Sequence, residues 1–567
     1  MAEGKLQGSD TRKLQRHFVT VGERQVHYRR GGHGPSLLML HSSPASSRAL
    51  APLADRLTEA FTVFALDTPG YGLSDPLNIE APTIGDYADA LAPTLDALGI
   101  GSALLYGAMT GSLIGLDFAH RYPSRVARAV FEGVPLFTEE QRAEFMERYA
   151  PVFEPTWDGS HLVALWSRFR DRFLFWPWYD RSVATRLDRG LPDARQLHEG
   201  VLDQLRAGVN YVVGYQAAFA YEAETAIAGI TVPTTFVVRA GDQLAPDLDR
   251  IVLSPAATKE VLPPDLANAA ARLLTVFKEA PLPANAPAVV TATPVPGIIT
   301  RAFVATPYGQ LHLRETAEVD GRPLVLLHAS PTSAKFLEPL MLALSSSRPT
   351  IAFDTLGNGE SDKAPFTDPW SGDYAEVVVA ALDGMGIDEY DLYGSHTGAT
   401  IAIEVAIARP AQVKHLILDG VPMFDPEETT DRLASHAPPL EIRGDGTHLM
   451  WAWTQAVQRS LFSHWYRPTR EEIKNVEPPT PAAMHEWLLE ILKSGDTYHV
   501  AYLTAFRYPT RDRLPLVEVP MLACAMPEDV LAPYSEEAAS LARNGRAAAL
   551  PDDLSQAAEV LHKFLTS

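Results

Sequence analysis

Gly107-Ala108-Met109-Thr110-Gly111 and Gly394-Ser395-His396-Thr397-Gly398 share one spacing. Each follows a short apolar stretch, Leu104-Leu105-Tyr106 or Leu392-Tyr393, and precedes a stretch rich in helix formers. A Gly-x-x-x-Gly elbow between strand and helix turns the chain sharply and pushes its central side chain out at the top of a sheet. That centre is ordinarily a nucleophile such as Ser, Cys or Asp. Here it is Met109 in one place and His396 in the other.

The two elbows lie 287 residues apart, and the same offset links many other positions. It pairs His41 with His328, Asp67 with Asp354, Glu132 with Asp419, Trp178 with Trp465, His198 with His485 and Asp242 with Asp529. A register held this long means two copies of one domain. The expected bounds are residues 16–280 and 298–567, each about 270 residues and so one α/β core. Between them, residues 281–297 hold Pro281, Pro283, Pro287, Pro294 and Pro296, a composition that stays extended. Such a linker lets the copies pack as an intrachain pseudo-dimer.

Each copy has a legible order of elements. Leu37–Leu40 and Leu324–Leu327 read as buried strands that end in His41-Ser42-Ser43-Pro44 and His328-Ala329-Ser330-Pro331. Val63–Leu66 leads to Asp67-Thr68-Pro69-Gly70-Tyr71-Gly72-Leu73-Ser74-Asp75, whose counterpart starts at Asp354. A strand enters each elbow, another ends at Glu132 or Asp419, and the last clear ones are Thr235–Val238 and Met521–Cys524. Strands alternating with helices predict a mostly parallel, doubly wound sheet of eight strands in each copy.

In layout, each copy resembles the α/β-hydrolase fold. It is similar to the branch that holds haloalkane dehalogenases, epoxide hydrolases and carbon–carbon bond hydrolases. The residues that carry the resemblance are the His-x-x-Pro turn, the Asp-x-x-Gly-x-Gly-x-Ser-Asp loop, the elbow and the strand ending at Asp242 or Asp529. The second copy also resembles a bacterial subset with Gly-x-His-Thr-Gly at the elbow. The resemblance implies a nucleophile, an acid and a histidine in that chain order. Asp242 and Asp529 match the acid. The histidine is missing, because no histidine lies between His198 and His312, and only His562 follows His499, inside an expected last helix Leu554–Leu565. Seryl-ester chemistry needs that base.

The first copy is expected to be inert, with Met109 filling its pocket and Asp242 and Ser43 as relics. In the second, His396 and Asp529 are the catalytic candidates. His396 at a helix N-terminus should have its pKa lowered, while Asp529 should raise it if the two meet. The resemblance places oxyanion donors at the backbone N–H of Thr397 and of Ala329 or Ser330, with His328 buttressing the turn. The inserts, about Thr138–Ile227 and Asp425–Leu514, read as helical lids. His448, Trp465, Tyr466 and His485 are the lid's candidates for the pocket wall.

Apolar residues make up 46% of the chain and charged residues 21%, as in globular proteins. The net charge of −22 argues against nucleic-acid and anionic-membrane partners. No apolar run is long enough to span a bilayer, and the polar start through Arg16 lacks a signal peptide's apolar core. The single cysteine, Cys524, reads as a core thiol and fits a cytoplasmic setting. No His or Cys spacing suggests a metal, and no phosphate loop suggests a nucleotide cofactor. Three functions stay open: an enzyme using His396 for acid–base or nucleophilic chemistry on a small organic substrate, an esterase using Ser395 or Ser330, and a non-catalytic small-molecule-binding protein.

Overall fold

The computed structural model describes residues 14–279, 281–317 and 319–567. The polar start read above lies almost wholly outside these residues. The first sheet comprises β1 (Gln15–Val21), β2 (Arg24–Gly31), β3 (Ser36–Leu40), β4 (Thr62–Leu66), β5 (Ala103–Ala108), β6 (Val126–Glu132), β7 (Thr234–Arg239) and β8 (Ala257–Leu262). The second comprises β9 (Thr300–Thr306), β10 (Gly309–Glu315), β11 (Leu324–Leu327), β12 (Thr350–Phe353), β13 (Tyr390–Ser395), β14 (Val413–Asp419), β15 (Met521–Ala525) and β16 (Gly545–Ala549).

Both sheets have eight strands in one order, β1-β2-β4-β3-β5-β6-β7-β8 and β9-β10-β12-β11-β13-β14-β15-β16. The first two neighbouring pairs in each order are antiparallel and the other five are parallel. The strands expected from sequence all lie inside observed ones. The N-terminal hairpins and the edge strands β8 and β16 were not individually legible. Edge strand β8, Ala-Thr-Lys-Glu-Val-Leu, is largely exposed and carries no continuous apolar run.

Central strands are buried on both faces, as parallel sheets require. In the first copy Leu38, Leu40, Leu105 and Phe131 pack on the side of helix Thr110–Arg121. The alternate residues Leu37, Met39, Leu104 and Val130 pack with helices Ser47–Leu57 and Leu266–Lys278. The second copy repeats this with Val325, Leu327, Leu392 and Leu418 on one face and Leu324, Leu326, Tyr393 and Ile417 on the other.

The chain separates into two compact units. One holds the first sheet and runs to Ala292; the other begins at Thr293 and also takes in Pro155–Gly159. The linker therefore divides between the units. Its first part is extended yet docked on the first copy, where Asn285 bridges Pro35, Ala286 N–H donates to Gly34 O and Arg30 donates to Pro287 O.

The inserts are helical, as expected. Their first helices start after side-chain caps at Thr138 and Asp425. Helices Ser160–Asp171, Ala194–Ala207 and Val209–Ala220 follow in the first copy. Thr447–Leu461, Pro481–Ser494 and Tyr498–Arg507 follow in the second.

Each elbow is built on close backbone contact. A Cβ on Gly394 would sit 2.3 Å from Gly398 O, and one on Gly398 would sit 2.2 Å from Leu327 O. Backbone oxygen cannot yield as a side-chain tip can. Gly398→Ala should therefore cost stability by about 1–3 kcal/mol or more, as overpacked sites do. A denaturant melt of this variant matching the wild type would show that the contact is not what holds the elbow.

Candidate functional site

Met109 and His396 are the only two non-glycine residues at positive φ among the described residues, each at 49°. A side chain is rarely held there, and such strain clusters at functional positions. The conformation survives in both copies although the side chains differ.

His396 Nε2 lies 2.8 Å from Asp529 Oδ2. The other carboxylate oxygen, Oδ1, accepts from Leu531 N–H at 2.8 Å, so the loop after β15 fixes its orientation. An ionised carboxylate is acceptor-only, so the ring donates from Nε2 and carries its lone pair on Nδ1. Nδ1 has no hydrogen-bond partner among the described residues, and about a third of the His396 side chain, 34%, is exposed. The dyad expected from sequence is thus within direct reach, with no water between its members.

Burial pulls the His396 pKa down. The hydrogen bond and charge of Asp529, with the charge of Asp419, outweigh it and carry the net shift upward. For Asp529, burial raises the pKa, but the His396 bond and charge leave it lowered overall. The sign of each linkage follows. His396 stabilises the fold fully below its unfolded pKa, and that contribution fades as pH rises through the raised folded value. Asp529 stabilises above its unfolded value, and its contribution is lost as pH falls through the depressed one.

Asp419, at the end of β14, was seen in the repeat but not assigned to the site. Its carboxylate accepts the Tyr393 hydroxyl at 2.5 Å, and burial raises its pKa. Gly420 follows at φ +70°, and a Cβ there would fall 2.6 Å from His396 Cδ2 and 2.7 Å from Nε2. Both copies read acid-Gly-Val-Pro at this point, Glu132 to Pro135 and Asp419 to Pro422. That shared string was the signal available in the sequence.

The oxyanion candidates fall beside the elbow. The N–H groups of Thr397, Ala329 and Ser330 have no acceptor among the described residues. His328 is a buttress: its Nε2 accepts Thr355 N–H at 3.0 Å and its Nδ1 bonds Ala329 O at 2.9 Å. It is buried, and burial lowers its pKa. His41 repeats both bonds with Thr68 and Ser42.

Ser330 Oγ and Asn358 Oδ1 are buried without a partner. In the first copy the equivalent Ser43 Oγ donates to Tyr71 OH at 3.0 Å. Replacing Tyr71 by Asn358 removes that acceptor.

The lid candidates sit in the lid's own packing. His448 Nδ1 accepts Arg443 N–H at 3.3 Å, Trp465 Nε1 donates to His436 O at 2.9 Å, and Tyr466 OH donates to Asp431 at 2.5 Å. His485 is buried in helix Pro481–Ser494. Trp465 and Tyr466, in the turn after helix Thr447–Leu461, also pack edge to face. The counterparts of the four candidates in the first copy, His161, Trp178, Tyr179 and His198, are absent from the wall of the cavity found there.

In the first copy Asp242 makes the same turn, accepting Leu244 N–H at 2.9 Å. Facing it is Met109, which offers no proton. Glu132, the counterpart of Asp419, is bound by both Tyr106 OH at 2.6 Å and Arg239 Nε at 2.8 Å. Met109 does not fill the space before it, as the sequence had suggested. A cavity of about 590 Å³ opens there. This cavity lies in the copy whose elbow carries Met109.

Residues 35–262 and 322–441, more than half of the chain, match the family described as the alpha/beta hydrolase fold. The chain belongs to this family. Among curated relatives, it is 31% identical over 139 residues to 2-(acetamidomethylene)succinate hydrolase of Mesorhizobium japonicum, covering 23% of this chain and 48% of that protein. It is 31% identical over 152 residues to a haloalkane dehalogenase of Mycolicibacterium paratuberculosis, covering 25% and 48%. The chain spans about half the length of these relatives. The crystal structure of the enol-lactonase from Burkholderia xenovorans aligns with 47% of this chain and 100% of its own at 21% identity, with a TM-score of 0.37. No helix among the described residues is long and apolar enough to cross a membrane.

Removing the Asp529 charge leaves burial as the main influence on His396. Asp529→Asn should bring the His396 pKa down, read from its ring resonances by NMR titration. Gly420→Ala should do the same by pushing the ring off the carboxylate. An unchanged titration in both variants would show that the contact does not govern the ring.

Proposed function

We propose that this α/β-hydrolase-family chain is an enzyme acting on a small organic substrate in its second domain. His396 is its acid–base group or nucleophile, and Asp529 is the carboxylate that positions it. The observation that supports this is the 2.8 Å bond between His396 Nε2 and Asp529 Oδ2 at the strained elbow. Nδ1 then takes a proton from a substrate carbon, a hydroxyl or a water. The imidazolium that forms is stabilised by Asp529, as the acid of a triad stabilises its histidine, and by the nearby charge of Asp419. Negative charge developing on a substrate oxygen meets the N–H groups of Thr397 and of Ala329 or Ser330. This set of groups suits hydrolysis by activated water as well as carbon–carbon or carbon–oxygen lyase chemistry. No step requires a cofactor.

The raised His396 pKa makes the ring a stronger base but confines its neutral form to higher pH. Activity should rise with pH through a limb above the model-peptide value of 6.5. The seryl-esterase reading has one supporting observation, the unpartnered Ser330 Oγ. Neither copy places a histidine beside it as base. The single, buried Cys524 supports a reducing cytoplasm as the compartment.

On a substrate found by screening small esters, enol lactones and 1,3-diketones, His396→Ala should lower kcat/KM by roughly 10²–10⁴-fold, the usual worth of a general base. Met109→Ala should leave kcat/KM nearly unchanged. Asp529→Asn should lower the plateau rate and shift the acidic limb to lower pH. A fluorophosphonate should label neither Ser395 nor Ser330. Stoichiometric labelling at either serine, with His396→Ala still active, would replace this reading by the esterase one.

A further inference from the structure

The cavity in front of Met109 is large enough for a small organic molecule, and its wall includes the aromatic rings of Phe137, Tyr149, Phe169, Trp176 and Phe219. Its charged groups are few. Three arginines, Arg48, Arg172 and Arg189, and two carboxylates, Glu199 and Asp203, line it. Both carboxylates are taken by Arg48, which bonds Glu199 and reaches Asp203 at 2.8 Å. That leaves two guanidinium groups in an aromatic pocket with no carboxylate at ion-pair distance among the described residues.

Arg172 is the more telling of the two. Its neighbour in sequence, Asp171, is held by Arg170 and Arg181, both at 2.8 Å. The Arg172 guanidinium lies 5.5 Å from the centre of Phe169 and 5.9 Å from that of Tyr215, beside the Tyr149 phenol. It donates to Ser43 O at a long 3.4 Å and to the Tyr149 phenol, and the Tyr215 hydroxyl already donates to Ser43 O at 2.7 Å. A guanidinium has five donors in a fork that matches a carboxylate. Most of that fork is unused. Arg189, at the exposed rim, spends its donors on Phe173 O, Arg172 O and Gln243.

The second copy supplies the internal comparison. At the repeat offset, Arg172 corresponds to Arg459, and each of the three Arg459 guanidinium nitrogens has a partner. It donates to His436 O and lies within hydrogen-bond distance of His436 Nε2, both at 3.0 Å, and it reaches Gln455 at 3.3 Å. In the first copy these partners are replaced by Tyr149 and Arg168. Arg168 cannot accept, and it adds a like charge to the region. The substitutions that released Arg172 lie in the copy that lost its reactive elbow.

The floor is polar as well. The N–H groups of Thr110 and Ser43, positioned as an oxyanion hole would be, have no acceptor among the described residues. A cation, two backbone donors and aromatic side chains lining one cavity are complementary to an organic anion with an apolar body. The Met109 thioether above the floor cannot attack it.

We propose that the first domain is a binding site for a small aromatic or branched monocarboxylate, with the carboxylate held by Arg172 and no chemistry performed on it. The site is independent of the His396 reading, since no His396 or Asp529 atom lines this cavity.

The test uses the full chain and two probes of equal shape, 3-phenylpropanoate and its neutral amide, followed by calorimetry and ligand-observed NMR. The acid should bind and the amide should bind more weakly. Arg172→Gln should weaken the acid by roughly tenfold to a hundredfold, the worth of a charge-assisted hydrogen-bond pair, and leave the amide unchanged. Arg172→Lys should fall between. His396→Ala should leave binding intact, which separates failure here from failure of the catalytic reading. If Arg172→Gln does not fold, a crystal of the full chain soaked with the acid should show the carboxylate on Arg172. Equal binding of acid and amide, loss of binding in His396→Ala, or no binding of phenyl- or branched-alkyl monocarboxylates at millimolar concentration would overturn the proposal.

Discussion

A strand that becomes a helix at a single residue leaves that residue almost no conformational choice. At both elbows the residue is forced to φ 49°, and the turn closes only because glycines on either side let backbone approach backbone. The rest of each domain is arranged around this constraint. The strand beside the elbow contributes its last carbonyl to the contact, and the buried His328 or His41 locks the neighbouring turn through both ring nitrogens. Met109 and His396 show that the geometry is set by the backbone and tolerates very different side chains.

The copies diverge in how they balance charge around the same scaffold. In the first, Glu132 is matched by Arg239, and the elbow side chain is neutral. In the second, the position of Arg239 is taken by Met526, so Asp419 has no arginine there and its field adds to that of Asp529 at His396. A histidine between two carboxylates is biased toward the imidazolium, which suits a group meant to receive a proton. Gly420 is what admits the ring to that position, because any Cβ would occupy the space of Nε2.

The lids diverge in a complementary way. Tyr149 and Arg168 in one copy stand where His436 and Gln455 stand in the other, and the arginine that packs with them is less fully bonded in the first copy than in the second. One copy thus holds a His–Asp pair at its elbow, and the other an open cavity before its elbow. A buried or half-buried cation without a counter-ion is costly unless a partner arrives.

Much of this was readable in the sequence. Short continuous apolar runs, the repeat offset and the glycine spacing determine two copies of an α/β fold, because those patterns are legible along the chain and each has few structural solutions. The identity of the elbow residues and the loss of the expected histidine were also legible, since both are matters of position along the chain. Three things were decided only by the tertiary structure. Asp529 Oδ2 meets His396 Nε2 because parallel strands β13 and β15 end at the same edge, although 133 residues separate the pair. Asp419 and Gly420 join the site for the same reason. The bonds of the lid candidates Trp465 and Tyr466 to His436 O and Asp431 were decided there too, because those partners come from an earlier segment of the lid. Whether a polar side chain is spent on a neighbour or left for a ligand, as for Arg459 and Arg172, is a question of distance between segments far apart in sequence.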